Sequence, residues 1–283
     1  MVVRTRMARA NGLEFGLLEA GTGPLALCLH GFPDSAHTWR QLLPELAGAG
    51  FHAVAPFLRG YAPTEVPADG GYGIETLVGD AMALHQVLEG DGEAVLIGHD
   101  WGAEAAYATA ASAPERWWRV VTLGVPPAGL DRVLFGDYQQ LKRSFYLFLF
   151  RDSLERAVEV VAADELAFLD RLWGDWSPGF DGAEVLGRAK ESLRQPANLA
   201  AAISYYRDAA VVARPDEAEQ AAGRPTLYLH GSADGCIAAE LVGDAERLLP
   251  PGSRMTLVQG AGHFLHLEQP EEVNRHILSW VTG

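Results

Sequence analysis

An α/β fold with a mostly parallel central sheet, flanked by helices and carrying an α-helical insertion, follows from three observations. Residues 1–127 alternate short apolar runs with longer helical patterns, and the same rhythm resumes over residues 217–283. Between them, residues 128–216 show helical patterns and loops without a convincing strand. Most of the later runs are apolar on both faces, as strands buried in a parallel sheet are. The chain therefore divides into a core, 1–127 with 217–283, and an inserted helical cap, 128–216.

In chain order, strands are expected at VRTRMARA, LEFGLLEA, LALCLHG, HAVAPFL, EAVLIGHD and RVVTLGV, with helices near 35–48, 74–89 and 102–112. Pro126 and Pro127 mark the entry to the insertion and VARPDEAEQAAGRP its exit. The insertion is rich in aromatic residues, among them Phe145, Tyr146, Phe148, Phe150, Trp173, Trp176, Tyr205 and Tyr206. After it, RPTLYLHG reads as a strand, 237–249 as a helix and RMTLVQG as a strand. Pro270 opens a last helix with Glu271 and Glu272 in its first turn.

Composition narrows the function classes. With 37 acidic and 22 basic residues the net charge is −15, and no basic run interrupts it, so nucleic acid and anionic membrane are poor partners. Hydrophobic residues at 48% and charged ones at 21% describe a globular chain. Cys28 and Cys236 sit in or beside apolar stretches and fit packed free thiols, with no zinc spacing; neither a metal nor a cofactor is expected. The basic amino terminus lacks the apolar stretch of a secretory signal, and no apolar segment approaches membrane-spanning length, so the default expectation is cytoplasmic.

The chemistry gathers at LIGHDWGAEAA, a strand, a sharp turn and an Ala-rich helix with Asp100 at the apex. Gly98 and Gly102 let the helix approach the neighbouring strand while the central residue is held at the sheet's carboxyl edge. The plainer reading is that Asp100 only caps the helix. A base follows in GAGHF, where His263 lies between the last strand and the last helix. The orienting acid should follow a late strand, and LYLHGSADG places Asp234 there; its plain alternative is an Asx turn. The other station, after RVVTLGV, offers no carboxylate before Asp131. LCLHGFPDS supplies a loop whose Phe32 backbone N–H, with that of Trp101, can face a developing oxyanion.

HGFPDS, GHDWG, the late Asp234 and GAGHF together resemble the α/β-hydrolase superfamily over nearly the whole chain, and within it the branch of epoxide hydrolases and haloalkane dehalogenases. The resemblance implies the α/β-hydrolase fold with a cap and an aspartate nucleophile. A carboxylate is ionised at pH 7 and suits displacement at an sp³ carbon, with the product held as an ester on Asp100. His263, oriented by Asp234, would then drive water onto that ester.

The leaving group is read from the cap. Epoxide hydrolases of this family typically use two cap tyrosines. RSFYLFLFRDSLER resembles the first segment and selects Tyr146; NLAAAISYYRDAA resembles the second and selects Tyr206 over Tyr205. Arg151 departs from the glutamine common in the first segment. The expected function is hydrolysis of a small apolar epoxide to a diol, with water as second substrate. The runner-up is a haloalkane dehalogenase in which Trp101 holds the halide, with Trp173 or Trp176 as second donor. A ligand-binding member of the fold is the third reading.

Overall fold

The computed structural model describes residues 1–68, 70–130, 134–208 and 223–283. Eight strands form one sheet: β1 (Arg4–Ala10), β2 (Leu13–Ala20), β3 (Leu25–Leu29), β4 (His52–Pro56), β5 (Val95–His99), β6 (Arg119–Leu123), β7 (Thr226–Gly231) and β8 (Arg254–Val258). Their spatial order is β1-β2-β4-β3-β5-β6-β7-β8. β2 pairs antiparallel with β1 and β4, and every later pairing is parallel. All eight predicted strands are present. β3, β5 and β7 are buried along their whole length, whereas at the edges β1 is largely exposed and β8 only partly buried, which is the burial gradient a sheet covered on both faces requires.

Core helices α1 (Leu42–Gly48), α2 (Ile74–Val87) and α3 (Trp101–Ser112) follow β3, β4 and β5. Alanine, the best helix former, supplies much of α3 and lets it lie close against the sheet. The final helix, Pro270–Val281, starts on Pro270 with Glu271 and Glu272 at its positive end and buries Val273, Ile277 and Val281 on one face.

Two core elements differ from expectation, the first because 35–48 divides into a 3₁₀ turn, Ala36–Trp39, and α1. Residues 237–249 do not form a single helix: short 3₁₀ turns, Ala239–Leu241 and Ala245–Leu248, are separated around Gly243. The apolar spacing that suggested a helix serves instead to pack Val242, Ala245 and Leu249 against Tyr107 and Tyr228. Glycine weakens a helix at its middle, and each short turn satisfies its own amides.

Between β6 and β7 the described chain runs through helices α4 (Tyr138–Arg143), α5 (Phe145–Asp152), α6 (Leu154–Trp176), α7 (Ala183–Leu193) and α8 (Pro196–Asp208). Helix α6 is broken by non-helical backbone at Ala163–Leu166. Most of the sequence-predicted exit segment, the 216/217 boundary and Asp131 lie outside the described residues. Cys28 and Cys236 are buried free thiols, as their surroundings suggested. Among the described residues no helix is long and apolar enough to cross a membrane.

Candidate active site

Asp100 sits at the carboxyl end of β5 with φ 52° and ψ −117°, a backbone conformation that a side-chain-bearing residue adopts only when its surroundings enforce it. The enforcement is visible at two glycines. A Cβ on Gly98 would lie 2.1 Å from the Gly102 carbonyl oxygen, and one on Gly102 would lie 2.1 Å from that of Leu29. Only glycine allows α3 to start this close to the sheet. The Asp100 side chain makes no capping bond to α3, so the helix-cap reading fails.

Four other predicted residues, Phe32, Trp101, Asp234 and His263, follow the carboxyl ends of β3, β5, β7 and β8. The backbone N–H of Phe32, beyond β3, donates to Asp100 Oδ1 at 2.6 Å. Trp101 opens α3, so its backbone N–H belongs to a first turn whose amides have no acceptor within the helix. Asp234 lies in the turn after β7, and His263 in the loop after β8. Nδ1 of His263 donates to Asp234 Oδ2 at 3.0 Å, and its Nε2 lies 3.8 Å from Asp100 Oδ2. Asp234 is fixed in turn through Oδ1, which accepts the N–H groups of Cys236 (2.7 Å) and Ile237 (2.8 Å). Its Asx turn and its contact with the histidine therefore coexist, one oxygen serving each.

Charge follows this geometry. Burial alone would lower His263, but Asp234 and Asp100 on its two sides raise it to about 10, favouring the imidazolium. Burial pushes Asp234 up, but His263, with His230 and the Ile237 N–H, more than offsets this and leaves it below the usual carboxylate range.

Tyr146 on α5 and Tyr206 on α8 converge over this edge, their ring centroids 5.6 Å apart. Tyr206 packs edge-on against Phe32 at 5.4 Å and Trp101 at 5.0 Å, the residues flanking the Asp100 carboxylate. Its hydroxyl is buried without a partner, while that of Tyr146 lies 3.7 Å from Cys236 Sγ. Burial holds both phenols well above their ordinary value, hence neutral. Tyr205, by contrast, donates its hydroxyl to the Arg59 carbonyl at 2.8 Å. Arg151, the departure from the glutamine pattern, has its own function: its Nε donates to the Tyr206 carbonyl at 3.1 Å, and Arg207 returns the clamp to the Phe150 carbonyl at 3.0 Å. The ends of the two tyrosine helices are thereby locked together.

Trp173 donates its indole N–H to the Pro33 carbonyl at 2.9 Å and stacks on Phe264, so it packs the structure and presents no free donor. Trp176 lies edge-on to His263 at 5.1 Å. The indole N–H of Trp101 is buried without a partner.

Sequence reasoning passed over a second layer. His99, the residue before Asp100, donates from Nε2 to the His263 carbonyl at 3.0 Å, and its ring lies 4.6 Å from that of His266. Ligating atoms of Asp34, His99 and His266 all lie within 4.8 Å of one another, and all three residues are buried. Burial raises Asp34 to about 7 and lowers His99 to about 3, so this carboxyl favours keeping a proton and the imidazole beside it favours staying neutral. Asp34 was visible in HGFPDS and His99 in GHDWG; nothing local linked them to His266.

Comparison with known proteins agrees with the geometry. The α/β hydrolase fold family model matches residues 24–270. The AB hydrolase superfamily protein YfhM of Bacillus subtilis is 28% identical, with 99% of each chain covered. Epoxide hydrolase A of Mycobacterium tuberculosis is 28% identical over 98% of this chain and 97% of its own. Among solved structures, epoxide hydrolase VrEH1 of Vigna radiata superposes with a TM-score of 0.81 at 25% identity, covering 99% of this chain and 97% of that one. Epoxide hydrolase A of Mycobacterium thermoresistibile gives 0.79 at 25%, covering 100% and 99%. With the elbow, the strand-end acid and the histidine in their expected stations, the chain belongs to the α/β-hydrolase family, in the branch that holds these epoxide hydrolases, and is a hydrolase.

Proposed function

We propose that the protein hydrolyses a small, largely apolar epoxide to a vicinal diol through a covalent ester on Asp100. The observation that carries the reading is the pair of neutral phenols, Tyr146 and Tyr206, converging above the carboxylate with the Tyr206 hydroxyl unpartnered. Residues 128–216 act as the cap that delivers them to the core formed by 1–127 and 217–283. A cytoplasmic setting, with no nucleic-acid or membrane partner, fits the acidic surface.

In the first step an Asp100 oxygen attacks an epoxide carbon. The C–O bond of the ring breaks and its oxygen takes a proton along the tyrosine hydroxyls, paired donors aimed at a developing oxyanion. Esterification removes the Asp100 charge, one of the two that hold His263 protonated. The imidazolium then gives up its proton to restore the tyrosine hydroxyl that donated, and becomes the base required next. In the second step His263, oriented by Asp234, takes a proton from water as it attacks the ester carbonyl. The backbone N–H groups of Phe32 and Trp101 stabilise the oxyanion; as it collapses the bond from the Asp100 acyl carbon to the alkyl oxygen breaks, that oxygen takes the proton the added water still carries, and the diol leaves with Asp100 ionised and His263 protonated again.

The unpartnered indole of Trp101 favours one second reading, haloalkane dehalogenation on the same three residues. It is the weaker one, because Trp173 is engaged with Pro33 and the Phe32 position supplies no side-chain donor. One experiment separates them. His263→Gln should accumulate an Asp100 ester with styrene oxide, seen as a mass increase on the Asp100 peptide. Wild type, given a panel of epoxides and brominated alkanes, should release diol and no bromide. An unmodified Asp100 peptide throughout would overturn both.

A further inference from the structure

The loop that carries the triad acid is bolted to the cap by contacts the two-step reaction does not itself demand. Gln140, buried on α4, uses both ends of its amide: Nε2 donates to the Cys236 carbonyl at 2.8 Å, and Oε1 accepts the Ala238 N–H at 2.9 Å. Arg143 adds a bond to the Asp234 carbonyl at 2.9 Å. Cys236 lies at the centre. Its N–H holds Asp234 Oδ1 at 2.7 Å, and its buried thiol sulfur lies 3.7 Å from the Tyr146 hydroxyl oxygen.

We propose that Cys236 is a positioning residue for ring opening, its S–H donating to the Tyr146 oxygen while the Tyr146 proton is directed at the epoxide oxygen. The inference rests on the epoxide reading above. As the ring C–O bond breaks and the Asp100 O–C bond forms, the proton moves from the tyrosine to the departing oxygen, and the electron density left on the phenolic oxygen is met by the S–H. The sulfur gives up no proton and forms no bond. Burial, reinforced by Asp234 and Asp100, holds this thiol well above its ordinary value, so the S–H stays in place and no thiolate competes for the electrophile. One residue thus sets the acid of the second step through its amide and a donor of the first through its side chain. Tyr206 has no such helper, so the two tyrosines are not equivalent.

The test measures the rate of ester formation with styrene oxide in the full-length His263→Gln protein, by rapid quench and mass analysis of the Asp100 peptide. Adding Cys236→Ala should slow ester formation about threefold, the size of a weak sulfur hydrogen bond. Cys236→Ser, which keeps a donor, should restore the rate or exceed it. In a Tyr146→Phe background Cys236→Ala should change nothing further, because the group it acts through is gone. Cys236→Val, close in volume, replaces the alanine variant if the latter does not fold. Equal rates for the serine and donor-less variants, or the same loss with and without the Tyr146 hydroxyl, would overturn the proposal and leave Cys236 as packing. If the parent protein forms no ester, the epoxide reading falls together with this one; if it forms ester and the cysteine variants are silent, only this one falls.

Discussion

On the sheet side of the site the charged groups meet fixed partners, whereas on the cap side the groups are neutral and their hydroxyls are held loosely. Asp100 accepts a 2.6 Å bond from the Phe32 N–H, Asp234 is bound by two amides and a ring nitrogen, and His263 lies between the two carboxylates. Tyr206 has no hydroxyl partner and Tyr146 has a sulfur at 3.7 Å. The difference has a physical reason. A buried charge without partners is prohibitively unfavourable, so the ionic half must be complete before substrate arrives. A donor already satisfied by a strong acceptor would gain little by turning to an epoxide oxygen, so the cap half must remain incomplete.

The sharpest way to break this comparison is to remove the charge from the sheet side. Asp100→Asn keeps the shape but loses the proposed nucleophile, and turnover should fall by about 10⁴ or more, as for the central residue of other covalent hydrolases. Intact-mass analysis of the same sample must exclude deamidation. A purified variant with wild-type turnover and no deamidation would show that Asp100 is not the nucleophile.

On the cap side the tyrosines should differ from each other. Tyr206→Phe removes the unpartnered donor and should slow ring opening about 10²-fold, the scale of one lost oxyanion donor. Tyr146→Phe should cost about threefold more again, because it also removes the group through which the Cys236 S–H acts. Single-turnover rates decide it, and equal losses at both positions would remove the asymmetry. A smaller effect is expected from Tyr205→Phe. That change leaves the Arg59 carbonyl without its donor and loosens α8, which Asn198 also ties to the Gly60 carbonyl at 2.6 Å. Stability should drop by about 1–3 kcal/mol in a urea melt, while kcat falls only a few-fold. A loss of kcat as deep as that of Tyr206→Phe would mean that Tyr205 is the donor.

How much of this was legible in the sequence depended on whether the signal was local. The elbow could be read because strand, turn and helix occupy one short stretch and its two glycines have no other use there. Asp234 and His263 could be read because each follows a late strand, so their place in the chain foretold their place at the sheet edge. The choice of Tyr206 over Tyr205 came from the resemblance of SYYR to a family signature, and the Tyr205 bond to Arg59 now gives the physical reason. The broken 237–249 segment was misread because its apolar spacing is equally served by two short turns packing on Tyr107 and Tyr228. The Asp34, His99 and His266 layer was not legible at all: three residues far apart in sequence meet only because the chain after β8 brings the short helix Leu265–Glu268 to the carboxyl ends of β3 and β5.

That layer supplies the last and mildest test of the ionic half. Asp34 Oδ1 accepts the Ser35 N–H at 2.7 Å, while Oδ2 has no partner. The groups that face this carboxyl are Thr38, whose hydroxyl bonds His266 Nε2, the rings of His99 and His266, and, beyond them, His263 and Asp100. Burial is the main cause of its rise to about 7, with Asp100 adding to it and the bonds from Thr38 and Ser35 and the charge on His263 opposing it. A carboxyl raised in the folded state binds its proton more tightly there than in the unfolded chain. Its contribution is therefore complete below the ordinary carboxylate value near 4 and is lost as pH rises through about 7. Asp34→Asn cannot ionise, so it escapes that loss. Its Tm relative to wild type should be higher at pH 8 than at pH 5, by several degrees at most for a chain of this size. A Tm difference independent of pH would show that Asp34 ionises normally, and that the neutral layer behind His263 needs a different account.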